Sequence, residues 1–287
     1  MKYLYYPGCS LEGTAREYDL ATRALMNTVG AELTDLQDWT CCGASAAEPT
    51  SFLLSLVLPA RNLAIAENMD GGQEILAPCS ACYLNLKRVE EKIKKDADLF
   101  SRINTVLSEE NMQLKGSTVT RHLLDILSND IGPKRLRPLV KKPFHDLVVA
   151  PYYGCQCLRP YTVFDDPEKP QTMGPLIKAI GATVYKWDMG ARCCGASHMN
   201  TKPDTARELV GSILKSARGA DVIVTVCPMC QINLEAYQNK ISSLKNEDLH
   251  ITILYLPQLI GLALGLAEKE LGLDLNLAVT GTFRDRL

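Results

Sequence analysis

Ten of the eleven cysteines fall into one order of motifs that occurs twice along the chain. In each half, a single cysteine is followed by an adjacent pair and then by two cysteines that flank two other residues. The first set is Cys9, Cys41, Cys42, Cys79 and Cys82, and the second set is Cys155, Cys193, Cys194, Cys227 and Cys230. Thiolates bind soft metals and take part in redox reactions, so the repeated order predicts two metal or redox centres.

The number of thiols distinguishes between the kinds of centre. Five thiolates per half exceed the four ligands of a tetrahedral zinc site. They also exceed the four cysteines of an ordinary [4Fe–4S] cubane. An iron–sulfur cluster with a more open arrangement could use all five, with some sulfurs bridging two irons. A four-cysteine zinc site with one idle thiol is the alternative.

The sequence around the cysteines favours ligation. A CxxC motif at the start of a helix lets two sulfurs face one point, and the helix N-terminus lowers the thiol pKa. The side chains of two adjacent residues converge on one centre only where the backbone bends. Gly43 and Gly195, directly after the two cysteine pairs, permit such a bend.

Composition and the first residues restrict the class of protein. The segment MKYLYYPGCS has no apolar stretch of the secretory type, so we expect a cytoplasmic protein with reduced thiols rather than a disulfide framework. With 46% hydrophobic residues, 22% charged residues and a net charge of −2 over 287 residues, the chain is globular and carries no field that recruits nucleic acid. No GxGxxG motif or phosphate-binding loop occurs, so we predict no flavin or nucleotide on this chain.

One apolar segment raises the question of a membrane. Residues 251–267 carry no charge, but Pro257 and Gln258 interrupt the stretch. Its length lies at the short limit for a membrane-spanning helix. We expect a buried helix, with a membrane contact as the alternative.

The two halves also match over longer blocks in the same order. VGAELTDLQDWTCCGAS (29–45) matches IGATVYKWDMGARCCGAS (180–197), and ILAPCSACYLNL (75–86) matches IVTVCPMCQINL (223–234). A proline-containing, charged stretch near 128–144 joins the halves. The sequence therefore predicts an N-terminal lobe over residues 1–142 and a C-terminal lobe over residues 143–287, each with one iron–sulfur cluster.

Each half alternates predicted strands and helices. The strands are expected over 3–6, 32–36, 74–77, 147–150, 182–187 and 221–226, and the helices over 18–29, 52–68, 79–100, 176–180 and 205–218. This alternation is typical of the α/β class. We predict two pseudo-symmetric Rossmann-like lobes with parallel sheets, helices on both faces, and the cysteines where strands end and helices begin.

His198 is a candidate proton donor. It follows the second CCGAS segment, whereas Ala46 stands at the matching place in the first half. An imidazole titrates near neutrality, which suits a general acid. A hydrogen-bonded loop histidine is the alternative.

Other residues near the motifs have two interpretations. The cations Arg159, Arg192 and Lys202 could bind an anionic substrate, with solvated surface charge as the alternative. Cys157 has no counterpart in the first half, and we expect it to fill the core. Four aromatic residues flank the first cysteine of each half and are expected to pack or to shield the centres: Tyr5, Tyr6, Tyr152 and Tyr153.

The two motifs, Cys9…Cys41-Cys42-Gly43…Cys79-Ser80-Ala81-Cys82 and Cys155…Cys193-Cys194-Gly195…Cys227-Pro228-Met229-Cys230, resemble those of a known family. The family is the B subunit of CoB–CoM heterodisulfide reductase, with its cysteine-rich CCG domains, and the resemblance covers essentially the whole chain. It implies that each set of five cysteines binds one noncubane [4Fe–4S] cluster. It also implies that a disulfide enters between the clusters and is reduced there to two thiols.

The resemblance implies partners as well. Electrons would arrive through a ferredoxin-like iron–sulfur subunit from a flavin-containing subunit. The first hypothesis is therefore a catalytic subunit, an oxidoreductase acting on a sulfur group, in which each cluster supplies one of the two electrons that a disulfide needs. The second is an electron-relay iron–sulfur subunit of another flavin- or quinone-linked complex. The third is a zinc-held interaction module.

Overall fold

The computed structural model describes residues 1–69 and 74–287. It contains two four-stranded sheets, one in each half of the chain, and every strand pairing within them is parallel. The strands of the first sheet are β1 (Lys2–Tyr5), β2 (Glu32–Asp35), β3 (Glu74–Ala77) and β4 (Val119–His122). Those of the second sheet are β5 (Val148–Tyr152), β6 (Thr183–Val184), β7 (Val222–Thr225) and β8 (Thr252–Tyr255).

The two sheets have the same topology. The spatial order is β2-β1-β3-β4 in the first and β6-β5-β7-β8 in the second. Leu4 pairs with Ile75 in the first sheet, and Val149 pairs with Val222 in the second. The predicted α/β class with two pseudo-symmetric parallel-sheet lobes is therefore confirmed.

Helices connect the strands as crossovers. In the first half they are α1 (Gly8–Glu12), α2 (Arg16–Thr28), α3 (Ala47–Thr50), α4 (Leu54–Asn68), α5 (Ser80–Ile93), α6 (Ala97–Leu107), α7 (Leu123–Ile126) and α8 (Gly132–Leu136). In the second half they are α9 (Met173–Ala179), α10 (Pro203–Ser216), α11 (Pro228–Ala236), α12 (Gln238–Lys245), α13 (Leu256–Ala263) and α14 (Gly281–Arg284).

Several elements differ from the sequence-based expectation. The helix predicted over 79–100 is two helices, because Asp96 caps a new one by accepting a hydrogen bond from the Leu99 amide at 2.9 Å. The strand predicted over 182–187 is only two residues long. The strands β4 and β8 were not predicted. Three of the four residues of β4 are polar (Thr120, Arg121 and His122), so its sequence lacks the apolar pattern of a buried strand, and β8 continues directly into the apolar helix α13.

The apolar segment near the C-terminus belongs to the core. It forms β8 and then α13, all of whose residues are buried. This confirms the expected core packing. None of the helices that the structure describes combines the length and the hydropathy needed to cross a membrane.

The larger of two clusters of buried side chains spans both halves, and the smaller one lies within the second half. The larger cluster includes Leu4 and Ile75 of the first sheet together with Val149 and Val222 of the second. Helices from each half pack against the other half: α13 of the second half packs on α2, and α8 of the first half packs on α9. The boundary at residues 142 and 143 stays a proposal, since apolar contacts cross it.

Candidate iron–sulfur centres

The topology brings each set of cysteines to one edge of its sheet. Cys9 follows β1 within α1, and Cys79 follows β3 at the position that caps α5. Cys155 and Cys227 take the equivalent places after β5 and β7. The adjacent pairs follow β2 and β6 through loops. Ligands of open α/β sheets bind at this carboxyl edge, outside the strands where the order reverses.

Sulfur atoms from distant parts of the sequence touch at both edges. In the first half, Cys9 Sγ lies 3.7 Å from Cys41 Sγ, and Cys42 Sγ lies 3.5 Å from Cys82 Sγ. In the second half, Cys194 Sγ lies 3.5 Å from Cys230 Sγ. All eleven cysteines are free thiols. The thiols of each motif are therefore gathered without disulfide bonds.

Each set divides into an inner trio and an outer pair. The inner trios are buried: Cys42, Cys79 and Cys82 in the first half, and Cys194, Cys227 and Cys230 in the second. The outer thiols are exposed or half-buried: Cys9, Cys41, Cys155 and Cys193. A group held by all five sulfurs would have one side in the protein and one side toward solvent.

Two glycines make room for the inner sulfurs. Gly8 and Gly154 have φ values of +69° and +71°, which side chains rarely adopt. A Cβ atom would lie 2.7 Å from Cys82 Sγ at Gly8 and 3.0 Å from Cys230 Sγ at Gly154. The backbone directly after the first strand of each half thus lies closer to the sulfurs than a residue with a Cβ atom would allow.

The loops that carry the adjacent cysteines, residues 41–43 and 193–195 (the CCG loops), bend as the glycines predict. Gly43 and Gly195 both have a φ of +72°. Their amides point back toward the first cysteine of the pair, with Gly43 N at 3.5 Å from Cys41 Sγ and Gly195 N at 3.3 Å from Cys193 Sγ. Such N–H···S contacts stabilise a thiolate, which is the form that metals bind.

Two asparagines fasten the CCG loops to the CxxC helices, and sequence analysis missed their role. The Asn85 amide donates to the Cys42 carbonyl at 2.9 Å, and the Asn233 amide donates to the Cys194 carbonyl at 3.1 Å. Both residues stand three positions after the last cysteine of the motif. Their recurrence in both copies of CxxCxxNL was the available signal.

Two tyrosines hold the same loops from the strand side. The Tyr6 hydroxyl donates to the carbonyl of Thr40, directly before Cys41, at 2.8 Å. The Tyr152 hydroxyl donates to the carbonyl of Arg192, directly before Cys193, at 2.7 Å. The four tyrosines that flank the first cysteines are all buried: Tyr5, Tyr6, Tyr152 and Tyr153.

The thiols have strongly shifted pKa values. Hydrogen bonds from Cys41 and Cys82 lower the pKa of Cys42 to about 3. A hydrogen bond from Cys155 lowers the pKa of Cys193 to about 6, helped by the Gly195 amide and by the charges of His198 and Arg159. Each half therefore holds at least one thiol whose neighbours lower its pKa and so favour the thiolate form.

The thiols of each half could hold a soft metal or a metal cluster. Within residues 1–69 and 74–287, no group of three or more His, Cys, Asp or Glu side chains is arranged as the ligands of one metal ion. The sulfur contacts are pairwise: Cys9 with Cys41, Cys42 with Cys82, and Cys194 with Cys230. Thiolates are ligands both of iron–sulfur clusters and of zinc.

The remaining candidate residues lie around the second centre. His198 is exposed, and its charge acts on Cys193. Arg159 donates to the Ala191 carbonyl at 2.6 Å and pairs with Glu168 at 3.1 Å, so its charge is partly compensated. Arg192 and Lys202 are exposed. Cys157 is 2% exposed and lies in the core, where its Sγ donates to the Tyr153 carbonyl at 3.3 Å.

Comparison with known proteins agrees with this geometry. The family model of the CCG cysteine-rich domain matches the chain twice, over residues 3–87 and 149–235. The chain is 34% identical over 280 residues to the 8-methylmenaquinol:fumarate reductase membrane anchor subunit of Wolinella succinogenes, covering 96% of both proteins. It is 29% identical to the B subunit of the ferredoxin/F420H2-dependent CoB–CoM heterodisulfide reductase of Methanosarcina acetivorans, covering 96% of this chain and 93% of that protein.

A solved structure shares the fold. A hypothetical protein from Helicobacter pylori superposes with a TM-score of 0.79 at 16% identity, over 97% of this chain and 52% of that one. The resemblance to the heterodisulfide reductase B subunit is confirmed by relatives of that name that match nearly the whole chain. With both halves matched by one domain model, the chain belongs to the family of CCG cysteine-rich domain proteins.

Proposed function

We propose that this chain is the iron–sulfur subunit of a multisubunit oxidoreductase complex, with one noncubane [4Fe–4S] cluster held by the five cysteines of each half. The observation that supports the proposal is the contact between motif sulfurs that are distant in sequence: Cys9 with Cys41, Cys42 with Cys82, and Cys194 with Cys230. Related proteins are named as subunits of reductases, which supports an assignment to a complex.

The residues of this chain would hold and insulate the clusters. Each bound cluster would accept and release single electrons. The inner trio of cysteines and the buried Tyr6 and Tyr152 exclude water from one side. The exposed Cys41 and Cys193 leave the other side open to a partner or substrate.

The first candidate reaction is electron relay in a quinone-linked complex. The relative with 34% identity over almost the entire chain is named as part of a menaquinol:fumarate reductase. Because that relative is named as a membrane anchor, we propose that this chain docks on a membrane-associated partner. Its own described helices are too short to span a bilayer.

The second candidate reaction is reduction of a disulfide to two thiols. Relatives at 27–29% identity are named as the heterodisulfide reductase B subunit or as similar to it. Two clusters can supply one electron each, and the exposed outer thiols leave room for a substrate sulfur. His198 beside Cys193 would then donate a proton to a leaving thiolate. The partners in this case would be a ferredoxin-like iron–sulfur protein and a flavin-containing protein of the same complex.

Metal analysis tests the cofactor. We expect chain purified without oxygen to contain iron and acid-labile sulfide in equal amounts, enough for two [4Fe–4S] clusters. Stoichiometric zinc without iron or sulfide would contradict the proposal and support a zinc-held module.

Reoxidation of the reduced protein distinguishes the two reactions. We expect a menaquinone analogue, with the partner subunits present, to reoxidise the clusters if the chain is a relay. A disulfide will reoxidise the isolated chain if it is a disulfide reductase. In that case His198→Gln slows the disulfide reaction by about 100-fold and leaves dye oxidation unchanged.

A further inference from the structure

Two hydroxyl groups from the first half meet at a carbonyl group of the second half. Ser80 Oγ donates to the Val226 carbonyl oxygen at 3.1 Å, and the Tyr18 hydroxyl lies 3.2 Å from the same oxygen. All three residues are buried. Val226 directly precedes Cys227, so donors from one lobe act on the backbone that holds a thiol of the other lobe.

The direction of the Ser80 hydrogen bond follows from its neighbour His122. The Leu124 amide donates to His122 Nδ1 at 3.1 Å, so the proton of the neutral ring lies on Nε2. That nitrogen is 3.1 Å from Ser80 Oγ and donates to it. The hydroxyl hydrogen of Ser80 is therefore free to point at Val226.

Tyr18 connects both halves at once. Its hydroxyl lies 3.0 Å from the carbonyl oxygen of Pro78, which precedes Cys79, as well as near that of Val226. The residues before Cys79 and Cys227 thus share one buried phenol. The two CxxC motifs approach each other here, on the inner side of the cysteine sets.

The hydrogen-bond donors at this interface come from the first half, at Ser80 and Tyr18. The position that matches Ser80 in the second motif is Pro228, which has no hydrogen-bond donor. Where Tyr18 stacks on Tyr255, the other half has Phe164 stacked on His122, and Phe164 has no hydroxyl. No reciprocal donor from the second half is therefore available at these positions.

We propose that Ser80 is a positioning residue that acts across the lobe interface: it lies in the CSAC motif of the first half but tunes the cluster held by Cys227 in the second half. The inference rests on the proposed function, since it requires a cluster in each half. Hydrogen-bond donors near a ligating sulfur place positive partial charge beside the cluster and favour the reduced state. The Ser80 hydroxyl accordingly raises the reduction potential of the C-terminal cluster.

A redox titration of the full-length, cluster-loaded protein tests the inference. Ser80→Ala is compared with wild type by EPR at controlled potentials, and Cys42→Ser and Cys194→Ser identify which signal belongs to which half. We expect Ser80→Ala to shift the C-terminal cluster to a lower potential and to leave the N-terminal cluster unchanged. Ser80→Thr, which keeps the hydroxyl, should restore the wild-type value.

The Tyr18 and Tyr83 hydroxyls provide two further variants. Tyr18→Phe should shift both clusters, because its hydroxyl reaches both carbonyl groups, and it serves in place of Ser80→Ala if that variant does not fold. Tyr83→Phe is the matched control, since the Tyr83 hydroxyl is buried in the same lobe without a hydrogen-bond partner among the described residues. It should shift neither cluster.

The outcomes separate this inference from the proposed function. If Ser80→Ala shifts only the potential of the N-terminal cluster, or shifts neither potential, Ser80 does not act across the lobe interface. The proposed iron–sulfur function is unaffected by that result. Wild-type protein that binds no iron and sulfide overturns the proposed function and this inference together.

Discussion

Tyr18 of α2 and Tyr255 at the end of β8 stack face to face across the two halves, with ring centroids 4.0 Å apart and an angle of 4° between the rings. His122 at the end of β4 stacks on Phe164 in the matching position, at 6.1 Å and 10°. The end of the fourth strand of each half therefore packs against an aromatic residue of the other half. The Tyr18 hydroxyl also lies within hydrogen-bond distance of the carbonyl oxygens of Pro78 and Val226, which precede Cys79 and Cys227.

Replacement of one inner cysteine tests whether the halves bind separate clusters. We expect Cys42→Ser to abolish the N-terminal cluster and Cys194→Ser to abolish the C-terminal one, because Cys42 contacts Cys82 and Cys194 contacts Cys230, each within its own half. Each variant should retain about half of the iron and sulfide and one of two EPR signals. Loss of both clusters in either variant would contradict independent sites.

Gly8→Ala tests the close approach of the strand end to the sulfurs. The added Cβ would meet Cys82 Sγ at 2.7 Å, so we expect the N-terminal cluster to be lost or unstable in the iron and sulfide assay. The positive φ by itself costs about 1–2 kcal/mol for alanine. Gly30→Ala is the control, because Gly30 has a φ of +73° and an added Cβ would meet only the end of the Arg135 side chain, at 3.5 Å. Equal cluster loss in both variants would show that backbone strain alone is responsible.

Asn233→Ala tests the fastening of the CCG loop. It removes the donor to the Cys194 carbonyl and leaves that buried acceptor without its partner. We expect a loss of about 1–3 kcal/mol in the free energy of unfolding, measured by urea denaturation. Faster release of iron from the C-terminal cluster should accompany it. Asn85→Ala should produce the same effect in the N-terminal cluster. Unchanged iron release in both variants would show that these asparagine hydrogen bonds do not stabilise the CCG loops.

The buried Glu235 predicts a pH dependence of stability. Burial raises its pKa from 4.5 to about 7, although Asn276 and the Ala278 amide hydrogen bond to the carboxyl group. The folded state therefore holds the proton more tightly than the unfolded state does. The resulting stabilisation, of about 3 kcal/mol, is complete below pH 4.5 and is lost as the pH rises to about 7.

Urea denaturation between pH 5 and pH 8 measures the contribution of Glu235 to the free energy of unfolding. We expect the free energy of unfolding of the wild type to fall over this range, with a smaller fall in Glu235→Gln, which cannot ionise. Parallel pH profiles for the two proteins would show that Glu235 does not contribute.

The sequence alone determined the class of fold, the duplication and the sets of thiols. Strand and helix patterns are local, and a cysteine directly after a buried strand must lie at the carboxyl edge of a parallel sheet. That reasoning placed Cys9, Cys79, Cys155 and Cys227 at the correct edges. It failed for β4, whose residues are mostly polar although Thr120 and His122 are buried, and for β8, which continues into an apolar helix without a change of composition.

Only the tertiary structure decided which residues support the two centres. Asn85 reaches Cys42 across 43 positions of sequence, and Ser80 reaches Val226 across 146. His122, which sequence analysis left without a role, orients Ser80 in a buried junction between the halves. Such contacts depend on how the lobes pack around a shared core, and no local pattern encodes that packing because its partners are brought together only when the whole chain folds.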